Sequence, residues 1–175
     1  MKLIMVRHTS VDVPQGVCYG FSDVPLKASF CAEAATVKEN LAGKTFDKVF
    51  SSPLSRCTLL AKYCGFEFPI LETRIRELNF GDWEMKSWME IDNPAAKDWL
   101  NDWLNYPAKN GESYAMMQKR VNSFMDELKS FNLKSACLFT HAGVIRLIHS
   151  YLKIFSIDKT FEFPVEYGQI FEFNI

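Results

Sequence analysis

The first ten residues, MKLIMVRHTS, decide the architecture, because four apolar residues in a row lead directly into an arginine, a histidine and two hydroxyl side chains. A short, uninterrupted apolar run of this kind is typical of a strand that is buried on both faces. The change to polar residues places Arg7 and His8 at the carboxyl end of that strand, residues 2–6. Their role depends on what the rest of the chain brings to the same edge.

The same alternation continues along the chain. Two further apolar runs, DKVFS at 47–51 and ACLFT at 136–140, predict buried strands. Helices are predicted between and after these strands, at 26–41, 53–64, 86–104, 113–131 and 143–152, from apolar periodicity or from helix start and stop residues. The aromatic tail adds one or two strands. Strand followed by helix, three times over, predicts a three-layer α/β/α sandwich with a mostly parallel sheet, in which ligands bind at the carboxyl edge of the strands.

The length and the aromatic residues bear on domain organisation. A chain of 175 residues suffices for one substantial core, so we expect a single domain spanning 1–175. All four tryptophans, at 83, 88, 99 and 103, fall in a helical, aromatic-rich insertion at about 83–112. They either pack against the core as a small subdomain, which we favour, or form an apolar lid that stacks on a flat ring of a ligand.

Composition excludes several classes of partner. A net charge of -1 gives no basic surface for nucleic acid or an anionic membrane. The N-terminal apolar run is far shorter than the roughly 7 residues of a signal peptide core or the roughly 18 of a membrane span, which predicts a cytoplasmic protein. Five scattered cysteines lack the spacing of a zinc site or a disulfide framework. We expect no metal and no cofactor, and the sequence leaves the oligomeric state open.

Two of the three histidines, His8 and His141, follow predicted buried strands directly. Either one alone reads as a hydrogen-bonded histidine at a strand end, but two at one edge indicate a site. Ser52 and Pro53 predict a helix start, with the serine hydroxyl as the cap and proline at the first helical position. Arg7 adjoins the first histidine, and Arg56, one turn into this helix, can point back toward the same edge. Two planar guanidiniums match the oxygens of a phosphoryl group.

The stretch THAGVIR, residues 140–146, begins a helix whose first backbone donors, from Ala142 onward, add positive potential for an anion. These parts suggest that one imidazole attacks phosphorus in line while the guanidiniums and the second imidazole stabilise the transition-state charge. The leaving alcohol then needs an acid. Glu77 in RELNFGDWE is the candidate, and spacing alone does not separate it from Glu84.

In that order, the motifs VRHT, SSPLSRC, RELNFGDWE, NGES and THAGVIR resemble the histidine phosphatase superfamily, the phosphoglycerate mutase-like proteins, over nearly the whole chain. The resemblance implies that His8 is phosphorylated, that Arg7, Arg56 and His141 complete the phosphate pocket, and that Glu77 donates the proton. Thr9 and Ala142 are then expected to contact the substrate.

Within the family, GVCYGFSDVPL at 16–26 looks most like the alpha-ribazole phosphatases, which remove the 5'-phosphate of alpha-ribazole phosphate late in cobalamin assembly. Thr9 fits that subgroup, whereas Met85 stands where the family usually has glycine.

We therefore expect a phosphomonoesterase with a small-molecule substrate. The alternatives are a broad or sugar-phosphate phosphatase of the same family and, in another class, a catalytically silent module that binds a phosphorylated ligand. Ser113 either caps a helix or also approaches substrate, and Arg146 either supports His141 from behind or is solvated, which we favour.

Overall fold

A five-stranded sheet with helices on both faces forms the framework in the computed structural model, which describes residues 1–91 and 93–175. The strands are β1 (Lys2–Arg7), β2 (Lys48–Ser51), β3 (Ile70–Leu71), β4 (Ser135–Thr140) and β5 (Ile170–Asn174). The helices are α1 (Phe30–Leu41), α2 (Ser55–Tyr63), α3 (Asn93–Asn101), α4 (Tyr114–Ser130) and α5 (Ala142–Tyr151). The predicted three-layer α/β fold with a mostly parallel sheet is confirmed.

The strand order, β3-β2-β4-β1-β5, places the two longest strands side by side. Strands β1 to β4 are parallel to their neighbours, and β5 is antiparallel to β1. Residues 3–6 of β1 are completely buried, which explains why this strand is apolar at successive positions instead of alternating. In the β1–β4 register Arg7 pairs with Thr140, so both strands end at the same level.

Two apolar clusters fill the space between the sheet and its helices. On one face, α4 and α5 contribute Val121, Phe124, Leu128, Val144 and Ile148, among others. On the other face, α1 and α2 contribute Ala34, Val37, Leu41, Cys57 and Leu60. The apolar stripes that predicted α1 and α4 are therefore the faces that these helices bury against the sheet.

Three predicted helix starts were wrong. The helix expected from residue 86 begins at Asn93, because Ser87 forms an isolated bridge with Val17 and the residues that follow it form a turn. The first helix begins at Phe30 instead of Leu26, because Leu26 forms an isolated bridge with Val11. The second begins at Ser55, and Ser52 is not its cap. The Ser52 hydroxyl instead lies 2.8 Å from Nε2 of His141, so a residue read as a local helix signal makes a tertiary contact. Ser113 does cap α4, accepting the Met116 N–H at 3.2 Å.

The aromatic-rich segment at about 83–112 contains α3, and residue 92 within it lies outside the described residues. Trp83 packs in a small third cluster with Cys18, Ile91 and Ala108. Trp88 and Trp99 lie against one another, with ring centroids 5.6 Å apart. In the described part of the chain, no helix combines the length and the apolar character that crossing a membrane requires.

Met85 occupies the left-handed region of backbone space, with φ of +63°. Its N–H donates to the Cys18 carbonyl at 2.7 Å, and the Cys18 N–H donates to Lys86 at 2.8 Å. The backbone at this position thus follows the geometry that glycine favours, although the side chain is methionine. A non-glycine residue in this conformation costs roughly 1–2 kcal/mol.

Replacing Met85 by glycine should stabilise the protein. We expect Met85→Gly to raise the free energy of unfolding by about 0.5–1 kcal/mol, because relief of strain outweighs the added freedom of the unfolded chain. The measurement is the midpoint of urea denaturation at unchanged slope. Met89→Gly is the matched control: Met89 is 91% exposed and lacks a positive φ, so its replacement should lower stability. A loss of stability in Met85→Gly would show that the methionine side chain matters more than the strain.

Candidate active site

Three adjacent strands deliver polar side chains to one edge of the sheet. His8 follows β1, His141 follows β4 and Ser52 follows β2. Backbone hydrogen bonds extend the pairing past the strands, from His8 N–H to Thr140 at 3.0 Å and from Ser52 N–H to Phe139 at 2.9 Å. As a result the rings of His8 and His141 lie 5.2 Å apart, centroid to centroid, and meet edge to face.

The His8 ring is held in one tautomer. Its Nδ1 lies 2.7 Å from the Thr9 carbonyl oxygen, and because a carbonyl only accepts, Nδ1 carries the proton. Nε2 of the neutral ring then carries the lone pair. Burial, followed by the charges of Arg56 and Arg7, holds the pKa of His8 well below its usual value, although the Thr9 carbonyl opposes the shift. His8 is therefore an uncharged imidazole with a free nitrogen at neutral pH.

Arg56 is completely buried, and backbone carbonyls fix its guanidinium. Its Nη1 donates to Ser22 at 2.8 Å and its Nη2 donates to Gly20 at 2.6 Å. A guanidinium has five N–H donors, so three remain for an anion. Arg7 reaches the same region from β1, with Nη1 donating to the Val165 carbonyl and its guanidinium carbon 3.8 Å from the centre of the Tyr167 ring.

The carboxyl group of Glu77 lies in the cavity beside the start of α5. One of its oxygens accepts the Gly143 N–H at 3.1 Å and the other accepts its neighbour Leu78 N–H at 3.0 Å. Gly143 leaves the space that this carboxyl group fills, since a Cβ at that position would lie 2.2 Å from Oε1 of Glu77.

Glu84, the other candidate acid, does not line this cavity. Its two oxygens accept four backbone N–H groups, from Gly20, Phe21, Ser22 and Phe80, at 2.8–3.0 Å. Burial opposes ionisation of Glu84, but the hydrogen bonds outweigh it and lower the pKa below its usual value. Glu84 is thus an ionised anchor for the loop that holds Arg56, and the structure separates two glutamates that sequence spacing could not.

His141 and Thr9 are fully buried and are not among the residues that line the cavity. Nε2 of His141 lies 2.8 Å from the Ser52 hydroxyl and 3.5 Å from Sγ of Cys57. Burial, then Arg56 and His8, hold the pKa of His141 well below its usual value. Thr9 contributes its carbonyl to His8, while Ala142, the first residue of α5, lines the cavity.

The cavity beside these residues has a volume of about 250 Å³ and a lining of two chemical kinds. The charged and polar groups come from Arg7, His8, Arg56, Glu77 and Arg146, and the apolar and aromatic surface comes from Leu78, Phe80, Trp99, Tyr114 and Phe161. Within the described residues, no group of three or more metal-binding side chains is assembled.

Several residues of this cavity were not predicted from the sequence, among them Tyr19, Phe161 and Arg146. Arg146, for which we favoured a solvated position, lines the cavity; its Nε donates to Phe163 at 2.9 Å, and burial lowers its pKa. The available signal was its spacing, since a residue five positions after His141 remains near the first turn of α5. Tyr19 lies in a loop and Phe161 in a short 3-10 helix, Ile157–Glu162, and neither segment is long enough for periodicity to indicate a direction.

Known proteins resemble this chain over nearly its full length. The adenosylcobalamin/alpha-ribazole phosphatase of Salmonella typhimurium is 28% identical over 176 residues, covering 96% of this chain and 87% of the relative. The phosphoserine phosphatase 1 of Hydrogenobacter thermophilus is 27% identical over 173 residues, covering 93% and 81%. The crystal structure of the alpha-ribazole phosphatase from Shigella flexneri matches with a TM-score of 0.92 at 26% identity, covering 100% of this chain and 91% of that one.

The family model described as the histidine phosphatase superfamily, branch 1, matches residues 3–175. This match agrees with the fold and with the order of the sequence motifs. The chain is therefore an enzyme that hydrolyses phosphomonoesters, and it belongs to branch 1 of the histidine phosphatase superfamily.

Proposed function

We propose that the enzyme transfers the phosphoryl group of alpha-ribazole 5'-phosphate to His8 and then to water. The observation that carries this proposal is the shared cavity, which is lined both by a neutral imidazole, guanidiniums and a carboxyl group and by aromatic rings. The first set suits a phosphate dianion, and the second suits a flat apolar ring such as benzimidazole.

In the first step Nε2 of His8 attacks phosphorus as the ester oxygen leaves. The hydrogen bond from Nδ1 to Thr9 supports the positive charge that develops on the ring. The free N–H groups of Arg7 and Arg56 bind the equatorial oxygens, where charge accumulates. The His141 ring supports that of His8 from beside it, with ring centroids 5.2 Å apart, and the N–H of Ala142 at the start of α5 faces the same anion.

Glu77 handles the proton in both steps. Protonated Glu77 gives its proton to the departing alkoxide, which leaves as the alcohol. The resulting carboxylate takes a proton from the water that attacks the phosphohistidine, and the P–N bond breaks to release inorganic phosphate and neutral His8. The hydrogen bonds from Gly143 and Leu78 hold the carboxyl group in place through both steps.

Two findings support this substrate. The relatives from Salmonella typhimurium and Shigella flexneri are both named as alpha-ribazole phosphatases. Trp99 and Phe80, with ring centroids 6.3 Å apart, give the cavity an aromatic wall of the kind that a flat base contacts. The phosphoserine phosphatase relative favours a second candidate, a phosphatase for another small phosphomonoester. We also propose that the enzyme works in the cytoplasm and that its partner is the small-molecule substrate.

A substrate panel tests the proposal. We expect kcat/KM for alpha-ribazole 5'-phosphate to exceed that for phosphoserine and for sugar monophosphates by at least about tenfold, because these lack a flat ring to contact the aromatic lining. It should also exceed that for nucleotide monophosphates, whose bases are flat but more polar than benzimidazole. His8→Ala should abolish turnover of every substrate. A higher kcat/KM for phosphoserine or a sugar phosphate would reassign the substrate, and undiminished turnover by His8→Ala would remove the phosphohistidine.

Replacing the proposed proton donor should have an effect that depends on the leaving group. We expect Glu77→Gln to lower kcat for alkyl phosphates by about 10²–10⁴-fold, and for 4-nitrophenyl phosphate far less, because only a poor leaving group needs a strong acid. Glu67→Gln, which changes an exposed glutamate outside the cavity, is the control and should leave both rates unchanged. Equal losses on the two substrate types would show that another group supplies the proton.

Gly143→Ala should displace the Glu77 carboxyl group without unfolding the protein. The added methyl group would stand 2.2 Å from Oε1, the mobile end of a side chain, and alanine is the better helix former by about 1 kcal/mol. We expect kcat for alkyl phosphates to fall at least tenfold, as it would if acid catalysis were lost. The free energy of unfolding should stay equal or rise. In the Glu77→Gln background the same change should have little further effect, and an additive loss would contradict this explanation.

A further inference from the structure

Two tyrosines from opposite ends of the chain meet beside the phosphate-binding arginines. The hydroxyl groups of Tyr19 and Tyr167 lie 2.9 Å apart, although 148 residues separate them in sequence. Each belongs to a loop whose backbone carbonyls hydrogen-bond the guanidinium of one arginine, Arg56 for Tyr19 and Arg7 for Tyr167.

The Tyr167 loop holds Arg7. It is a tight turn in which Gln169 N–H donates to Glu166 at 3.2 Å. Two backbone hydrogen bonds fix this turn to the end of β1: Gly168 N–H donates to His8 at 3.1 Å, and Arg7 N–H donates to Gln169 at 3.0 Å. The Tyr167 ring then stacks on the Arg7 guanidinium, whose Cζ lies 3.8 Å from the ring centre.

Residue Val165, just before this turn, accepts Nη1 of Arg7, so the backbone and the ring of one loop constrain a single side chain. The same ring lies 5.6 Å from the His8 ring. A shift of the Tyr167 loop would therefore move the guanidinium relative to the nucleophile.

The Tyr19 loop holds Arg56. The carbonyls of Gly20 and Ser22 accept its two η nitrogens, and the Tyr19 ring centre lies 5.7 Å from its Cζ. The N–H groups of the same Gly20 and Ser22 donate to the carboxylate of Glu84, which holds in place the backbone that orients Arg56. Gly20 also approaches the Leu78 carbonyl too closely for any side chain.

We propose that the Tyr19–Tyr167 hydrogen bond is a clasp that joins these two loops and sets the spacing of the Arg7 and Arg56 guanidiniums around the phosphoryl group. Tyr19 and Tyr167 are then positioning residues for phosphoryl transfer. The inference rests on the roles proposed above for the two arginines. Burial and the neighbouring Tyr167 hydroxyl raise the pKa of Tyr19, so the Tyr19 hydroxyl group keeps its proton for the hydrogen bond.

The clasp should matter more for the transition state than for substrate binding. A ground-state phosphate adapts to a guanidinium that has moved by a fraction of an ångström, whereas stabilisation of the transition state depends on fixed donors. Loss of the clasp therefore lowers kcat more than it raises KM. A purely structural role would instead lower the melting temperature and leave both kinetic constants unchanged.

The test compares Tyr19→Phe, Tyr167→Phe and the double variant with wild type, using 4-nitrophenyl phosphate. We expect each single variant to lower kcat about three- to tenfold with less than about a twofold change in KM, the scale of one lost positioning hydrogen bond. Both changes remove the same bond, so the double variant should fall within about twofold of the worse single variant. Tyr151→Phe is the matched control, since it removes a 2.6 Å hydrogen bond to Asp126 outside the cavity, and should leave kcat unchanged.

Tyr167→Leu separates the ring from the hydroxyl group. It also removes the surface on which Arg7 stacks, so kcat should fall at least about fivefold below that of Tyr167→Phe. Equal kcat values for the Leu and Phe variants would overturn the role assigned to the ring.

Three results would overturn the clasp: wild-type kcat in both Phe variants, effects that multiply in the double variant, or a rise in KM alone. Arg7→Gln and Arg56→Gln, measured alongside, distinguish this failure from a failure of the proposed function. If the arginine variants lose activity while the tyrosine variants keep it, only the clasp is wrong. If the arginine variants stay fully active, the roles of the arginines and the clasp fail together.

Discussion

The parallel pairing of β1 with β4 is the constraint on which the site depends. It sets Arg7 opposite Thr140, and the next hydrogen bond, from His8 N–H to the Thr140 carbonyl, fixes His8 beside His141. Because side chains alternate along a strand, a slip of one residue would turn each side chain to the opposite face of the sheet. Burial of residues 3–6 on both faces makes such a slip costly, so the core that stabilises β1 also sets the spacing of the two imidazoles.

The second constraint is electrostatic. Arg56 is completely buried, and among the described residues no carboxylate forms a salt bridge with it or with Arg7. A buried charge without a counter-charge costs several kcal/mol, and here the backbone carbonyls of Gly20, Ser22 and Val165 offset part of that cost. The remaining demand for negative charge is what a phosphate dianion supplies. Burial, together with the same uncompensated charge, lowers the pKa of His8 and keeps its ring neutral.

The sequence predicted well what depends on long periodic segments and poorly what depends on loops. The apolar runs of β1 and β4 were sufficient to place both strands and to bring the histidine motifs to one edge, and the apolar stripe of α4 was sufficient to place that helix. Ser52 was misread because a hydroxyl before proline signals a helix cap locally, whereas its partner, His141, is 89 residues away. The choice between Glu77 and Glu84 required the turn at Gly81–Trp83, whose direction no pattern encodes. Tyr19 and Tyr167 meet through two irregular loops, and nothing in either loop indicates the other.

Rapid-quench trapping with substrate labelled at phosphorus measures most directly whether this strand pairing delivers His8 as the nucleophile. We expect one acid-labile, base-stable phosphoryl group per chain, located on His8 and absent from His8→Ala. An acid-stable adduct on a hydroxyl group, or a labelled histidine other than His8, would contradict it.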